Sequence, residues 1–211
     1  MSLTYSSGLS RTVNRAIVKA TFIFSALALC LLIVLAFNKY QAGTSFSTII
    51  YGGSLFICCL CSFMYTRRLD DSGSPIWRLL DHAAIFILIA GTYTPFVLDI
   101  PGPFGIGLTF WVWGLALLGV CLRLLLRHGY ARLFVLLYIA IGWLFLTALP
   151  EILDRVNEIS LVFLAAGAAS YTIGALLFAK DIGRWTDPVW HAFVFGGCFL
   201  HFMAVLALLV A

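Results

Sequence analysis

Charge is what this sequence has least of. Only 10% of its 211 residues are Asp, Glu, Lys or Arg, whereas a soluble domain carries about a quarter. A chain so poor in charge cannot clothe itself in a solvated surface, and most of it must face lipid. Hydrophobic residues make up 63% of it, and mean hydropathy is +1.05. No apolar run shows the alternation of a barrel strand, which excludes a transmembrane barrel and leaves closed helices to satisfy the backbone within lipid. There is no convincing internal repeat and no low-complexity segment. The six cysteines (Cys30, Cys58, Cys59, Cys61, Cys121 and Cys198) all fall inside apolar runs. That placement argues against a disulfide framework and a CxxC zinc ribbon, and makes Cys58, Cys59 and Cys61 small packing residues.

What is present is a series of apolar runs, each near the twenty or so residues a helix needs to cross a bilayer. Seven spans are expected, at 17–37, 46–66, 82–99, 105–126, 132–149, 158–179 and 188–210. The fold class is all-α, a seven-transmembrane helix bundle in a single domain, with residues 1–16 as a short cytoplasmic segment. The first run follows Arg11, Arg15 and Lys19 like a signal peptide. It is too long for one and lacks a clear cleavage site, so it reads as the first span. Eleven basic residues fall on the side of the N-terminus, including Arg67, Arg68, Arg78, Arg123, Arg127, Arg132, Lys180 and Arg184. Only Lys39 and Arg155 lie opposite. Cytoplasmic loops hold such an excess, which puts the N-terminus in the cytoplasm and the C-terminus outside. The net charge of +4 is spread over four segments and calls for no nucleic-acid partner.

Polar groups in the spans are where function is sought, because burying them is expensive. Counting spans brings several to one depth. The second span ends with Ser62 and Thr66, the third starts with Asp81 and His82, and the seventh starts with Asp187 and His191. Both Ser62/Thr66 and Asp187/His191 are four apart, so each pair shares a helix face. Plainer readings stand beside this one. Asp81 suits a helix N-cap and Asp187, before Pro188, a first helical turn. His191 could be a hydrogen-bonded neutral histidine, and His201, about 15 Å further along its helix, a packing or hydrogen-bonding one. His128 is read as solvated, and Trp77, Trp185 and Trp190 as an interfacial belt. In the third span, Pro95 removes a backbone donor and frees the Gly91 carbonyl. Thr92 and Thr94 can hydrogen-bond locally, and the Tyr93 hydroxyl needs a partner. A bent third helix shaping an internal cavity is the expectation. On the sixth span Ala166, Ser170 and Gly174 form a small-residue stripe for close helix packing.

The stretch DHAAIFILIAGTYTPF, beginning at Asp81, closely resembles the signature of the hemolysin III family, within the wider group of progestin and adiponectin receptors. YGGSLFICCLCSFMYT, LYIAIGWLF, SYTIGALLF and WHAFVFGGCFLHF resemble its second, fifth, sixth and seventh helices in order. The resemblance runs from about residue 15 to the end and implies a seven-helix bundle with a cytoplasmic N-terminus. The family branch also implies a bacterial inner membrane. In the superfamily the inner end of the bundle usually holds zinc. A histidine and a serine on the second helix, an aspartate on the third and an H-x-x-x-H pair on the seventh supply the site. The implied reaction is hydrolysis of a lipid amide, as in ceramidases.

On that pattern Ser62 and Asp81 match the serine and aspartate and are the candidate catalytic residues. Thr66 stands where a ligand histidine is expected, Asp187 replaces the first histidine of the pair, and His191 matches the second. Three readings follow. His191, Asp187 and Asp81 could still hold zinc or another divalent metal, with Thr66 or water completing the set. Alternatively, the chain is a degenerate relative in which Asp81 or Asp187 pairs with His191. It then serves in lipid sensing or membrane homeostasis, with membrane lipids as its partners; this is the favoured reading. The third is a pore-forming hemolysin or channel, for which the spans offer neither a regular polar stripe nor a ring of charges.

Overall fold

The computed structural model describes residues 8–39, 42–69, 74–98, 100, 102–126 and 130–210. The first seven residues, Asp99 at the end of the expected third span, Arg127 and His128 lie outside the described residues. Among the described residues eight α-helices follow in order: α1 (Gly8–Lys39), α2 (Ala42–Arg67), α3 (Ser74–Val97), α4 (Pro103–Leu125), α5 (Ala131–Trp143), α6 (Leu149–Leu153), α7 (Glu158–Lys180) and α8 (Thr186–Val210). They make seven segments long and apolar enough to cross a membrane. The fifth is composite: α5 and α6 are joined through a 3₁₀ turn, Leu144–Ala148.

Two starts differ from the sequence reading. α1 begins at Gly8, nine residues before the apolar run, so much of the expected N-terminal segment is helical. α3 begins at Ser74, with Pro75 next, where a missing N–H costs nothing. Asp81 therefore sits two turns inside the helix and is not its cap. The apolar run marks the membrane core, whereas the helix starts where the backbone signal stands. Asp187 does occupy the first turn of α8, as read from the sequence.

α1 packs on α2, α2 on α3, α3 on α4 and α7 on α8, α5 meets α3, α4 and α7, and α1 returns to α8 to close the bundle. Phe22 stacks on Phe63 with ring centroids 4.8 Å apart, tying α1 to α2. Phe24 meets Phe202 edge-on at 5.5 Å, tying α1 to α8. Tyr51, Leu55, Phe86, Val112 and Val205 lie fully buried in the core, with Cys58, Cys59 and Cys198 among them. All six cysteines are free thiols.

α7 and α8 pack tightly along their length, and the small residues of α7 make this possible. Ser170 donates to the Phe193 carbonyl at 2.8 Å. A side chain at Gly174 would strike Phe193, and one at Gly167 would strike the ring of His201. Asn157 caps α7 by accepting from the Ser160 N–H at 2.8 Å, and its amide donates to the Ala207 carbonyl at 3.1 Å.

Around Pro95 the hydroxyls behave as expected of membrane helices. Thr92 donates to the Leu88 carbonyl at 2.8 Å and Thr94 to the Ala90 carbonyl at 2.9 Å. Thr94 also accepts from Trp113 of α4 at 3.2 Å. Tyr93 shares its proton between the carbonyls of Ile141 and Gly142, at 2.8 and 2.7 Å. Those carbonyls lie just ahead of the 3₁₀ turn, where Pro150 prevents an ordinary helix from continuing because it has no N–H for the Leu146 carbonyl. Tyr93 thus fastens α3 to the break in the fifth segment.

Candidate functional site

Four helices deliver polar side chains to one end of the bundle. Ser62 of α2 donates a very short hydrogen bond to the Asp81 carboxylate of α3. Asp81 is buried, and its other oxygen lies 3.9 Å from Nδ1 of His82. That nitrogen also contacts the Arg78 carbonyl at 2.8 Å. The carbonyl of His82 accepts from Tyr138 of α5 at 2.9 Å, so the start of this segment is held from two sides.

On α8, Nδ1 of the buried His191 donates to Oδ1 of Asn14 at 2.8 Å and to the main-chain carbonyl of Asp187 at 2.9 Å. Both partners are oxygen acceptors. The proton therefore resides on Nδ1, and Nε2 of the neutral ring presents a lone pair. Asp81 lies within electrostatic reach of His191 and Asp187. Thr66 is buried at the same end of α2, whereas the Asp187 side chain stands at the exposed rim.

The sequence reading brought Ser62, Asp81, Asp187 and His191 to one depth, and the Ser62–Asp81 bond joins two of them directly. It missed Asn14, which it left in the segment ahead of the first span. The signal was there: a lone asparagine, one turn before the apolar run, sits on a helix that starts at Gly8. His82 also has more to do than the sequence suggested, since its ring lies beside the Asp81 carboxylate and its carbonyl accepts from Tyr138.

A second feature lies directly beside this cluster. A cavity of about 230 Å³ opens between α3, α5, α7 and α8. It runs from Ile85, Tyr138 and Trp190, one turn from the polar groups, to Phe96, Leu149, Leu164 and His201. Its wall is almost wholly apolar. Trp143 and Leu146 line it while remaining 42% and 53% exposed, so it opens on the lipid side of α5. Trp190 thus faces an internal space and packs on Phe178 at 5.6 Å, in place of the interfacial belt expected of it.

Comparison with known proteins agrees with this architecture. The profile of the family described as Haemolysin-III related matches residues 12–209. The chain belongs to the hemolysin III family. It is 32% identical over 185 residues to Hemolysin-3 of Bacillus cereus, covering 87% of this chain and 84% of that one. It is 31% identical over 180 residues to the Hemolysin-3 homolog of Bacillus subtilis (strain 168), covering 85% and 84%. Seven apolar segments and these bacterial relatives make it a multi-pass integral membrane protein of a bacterial plasma membrane.

The donor set of this hemolysin III member does not fit a three-histidine zinc centre. A catalytic zinc takes three strong protein ligands and one open position. His191 is oriented as such a ligand would be, with its Nδ1 proton held by oxygen acceptors. The other two imidazole positions of the superfamily pattern carry the Thr66 hydroxyl and the rim carboxylate of Asp187. Among the described residues, no three His, Cys, Asp or Glu side chains come together to hold an ion.

Proposed function

We propose that this hemolysin III protein responds to membrane lipid and that its polar end acts without a resident metal. The observation that carries the reading is the cavity: an apolar space of about 230 Å³, open to lipid and ending one turn from the Ser62–Asp81 and Asn14–His191 bonds. A chain entering between α5 and α7 fills the gap that separates these helices. Its presence is felt at Tyr138 and Trp190, and from there at the backbone of His82 and at His191. The polar cluster is the element positioned to change in response.

The wall chemistry favours lipid over ions, because an ion path needs polar or charged groups along its length. The donor set supports a metal-independent cluster, in which hydrogen bonds from Ser62 and to Asn14 do the positioning that a metal does in relatives with three histidines. Hydrolysis of a lipid amide is the alternative left by the family resemblance. It requires a nucleophilic water activated at Asp81 and His191.

The test is lipid carried through purification. Protein extracted in mild detergent is expected to hold lipid detectable by native mass spectrometry. Ala168→Phe, which places a ring in the cavity, is expected to lose it while remaining monodisperse. Equal lipid in both forms would sink the reading. Release of fatty acid from a ceramide by the purified wild-type protein would favour the hydrolase instead.

A further inference from the structure

Trp143 stands at an unusual depth for its type. It lies near the middle of the segment Arg132–Leu153, whereas membrane tryptophans gather at the two interfaces. An indole N–H at hydrocarbon depth needs an acceptor from protein, and here that acceptor is on another helix. Nε1 of Trp143 donates to Oγ1 of Thr172 on α7 at 3.1 Å. Both residues line the cavity, one from the α5 side and one from the α7 side, and their bond lies at its exposed edge. Among the described residues it is the one hydrogen bond between these two helices.

The surroundings leave the indole free to swing. Trp143 is the last residue of α5, and the chain passes from it straight into the 3₁₀ turn Leu144–Ala148, a geometry that often marks a hinge. Just upstream, Tyr93 pins the Ile141 and Gly142 carbonyls to α3, so the helix behind the hinge is held. Thr172 donates to the Ala168 carbonyl at 2.8 Å and keeps that bond without the indole. When the two side chains part, only the indole N–H loses a partner. The closed arrangement is therefore favoured by a single hydrogen bond.

We propose that the Trp143–Thr172 bond is a latch on the lateral mouth of the cavity, and that what it admits is the acyl chain of a bilayer phospholipid. At mid-membrane depth it is a chain, and not a head group, that meets the mouth. The wall makes the same demand. The hydroxyls of Thr92, Tyr93, Tyr138, Tyr171 and Thr172 all donate to protein acceptors, so none of their protons is left for a polar group inside. This assignment rests on the lipid-responsive reading above and adds to it how entry is controlled.

The test is the rate of lipid exchange. The purified full chain, loaded in detergent with palmitoyl-oleoyl phosphatidylcholine, is mixed with an excess of the same lipid carrying a perdeuterated palmitoyl chain. Native mass spectrometry then follows the replacement. Thr172→Val is expected to exchange roughly fivefold faster than the wild-type protein, the factor of one net hydrogen bond, while holding the same amount of lipid. Trp143→Phe is expected to be at least as fast, and adding Thr172→Val to it should change nothing more. Exchange at the wild-type rate in Thr172→Val overturns the latch and leaves the lipid-responsive cavity standing. A Thr172→Val effect that persists in full beside Trp143→Phe overturns it too, since the hydroxyl then acts without the indole. So does loss of lipid from Thr172→Val at equilibrium, because the hydroxyl then holds the lipid rather than the mouth. Retention of no lipid by the wild-type chain, or of as much by Ala168→Phe, overturns the cavity reading and the latch together.

Discussion

His191 and His201 stand ten residues apart on α8, equally buried, and the protein treats them in opposite ways. His191 has its Nδ1 proton engaged twice, by a side chain of α1 and by its own helix backbone. His201 has its Nε2 proton engaged once, by α7, and its other nitrogen engaged by nothing among the described residues. The first histidine is hydrogen-bonded to α1, near the Ser62–Asp81 bond that joins α2 to α3. The second packs between Gly167 and the edge of Tyr171 on α7. Equal burial therefore says little about role; the partners each ring meets say more.

That contrast can be broken or sharpened by substitution. The largest effect is expected from Gly167→Leu, which drives a branched side chain into the ring of His201 and separates α7 from α8. A loss of about 3 kcal/mol is expected from such overpacking, read as a lower midpoint of thermal unfolding in detergent. Gly142→Ala, with open space around its Cα, is the control and should leave the midpoint unchanged. Next comes Ser62→Ala, which strips the buried Asp81 carboxylate of its hydroxyl donor at a cost of about 2 kcal/mol. If this variant unfolds at the wild-type temperature, the Ser62–Asp81 bond does not stabilise the polar end as described. Asn14→Ala should cost less, about 1 kcal/mol, since the Asp187 carbonyl still receives the His191 proton. The smallest shift is expected for Tyr93→Phe, within about 1 kcal/mol. Its clearer readout is faster amide hydrogen exchange in Leu144–Ala148, where the tie to α3 is lost. Unchanged exchange there would show that the 3₁₀ turn stands by itself.

The sequence made the seven segments legible because lipid imposes length and apolarity on every one, and a charge at the wrong depth is costly. The convergence of Ser62, Asp81, Asp187 and His191 was legible for the same reason: alternating spans bring helix ends to a common level. Their pairing was not. Hydropathy marks where the bilayer core begins and does not see where a helix starts, so Asn14 fell outside the first span and Asp81 looked like a cap. The helix start at Ser74–Pro75 was a local signal that the apolar pattern masked. His201 was read as a packing or hydrogen-bonding residue, and its bond to the Leu164 carbonyl and its packing on Tyr171 agree with that. The cavity beside it lies where α5 stands away from α3 and α7. The break that lets it do so does have a sequence cause in Pro150. Tyr93, noted as a hydroxyl in need of a partner, finds that partner at this break.

The central claim is that hydrogen bonds, rather than a metal, organise the polar end of this hemolysin III protein. Elemental analysis of the purified wild-type chain beside Thr66→His/Asp187→His tests it most directly. The account predicts no stoichiometric metal in the wild-type protein and about one zinc per chain once both imidazoles are restored. Stoichiometric zinc in the wild-type protein, lost in His191→Ala, would contradict it.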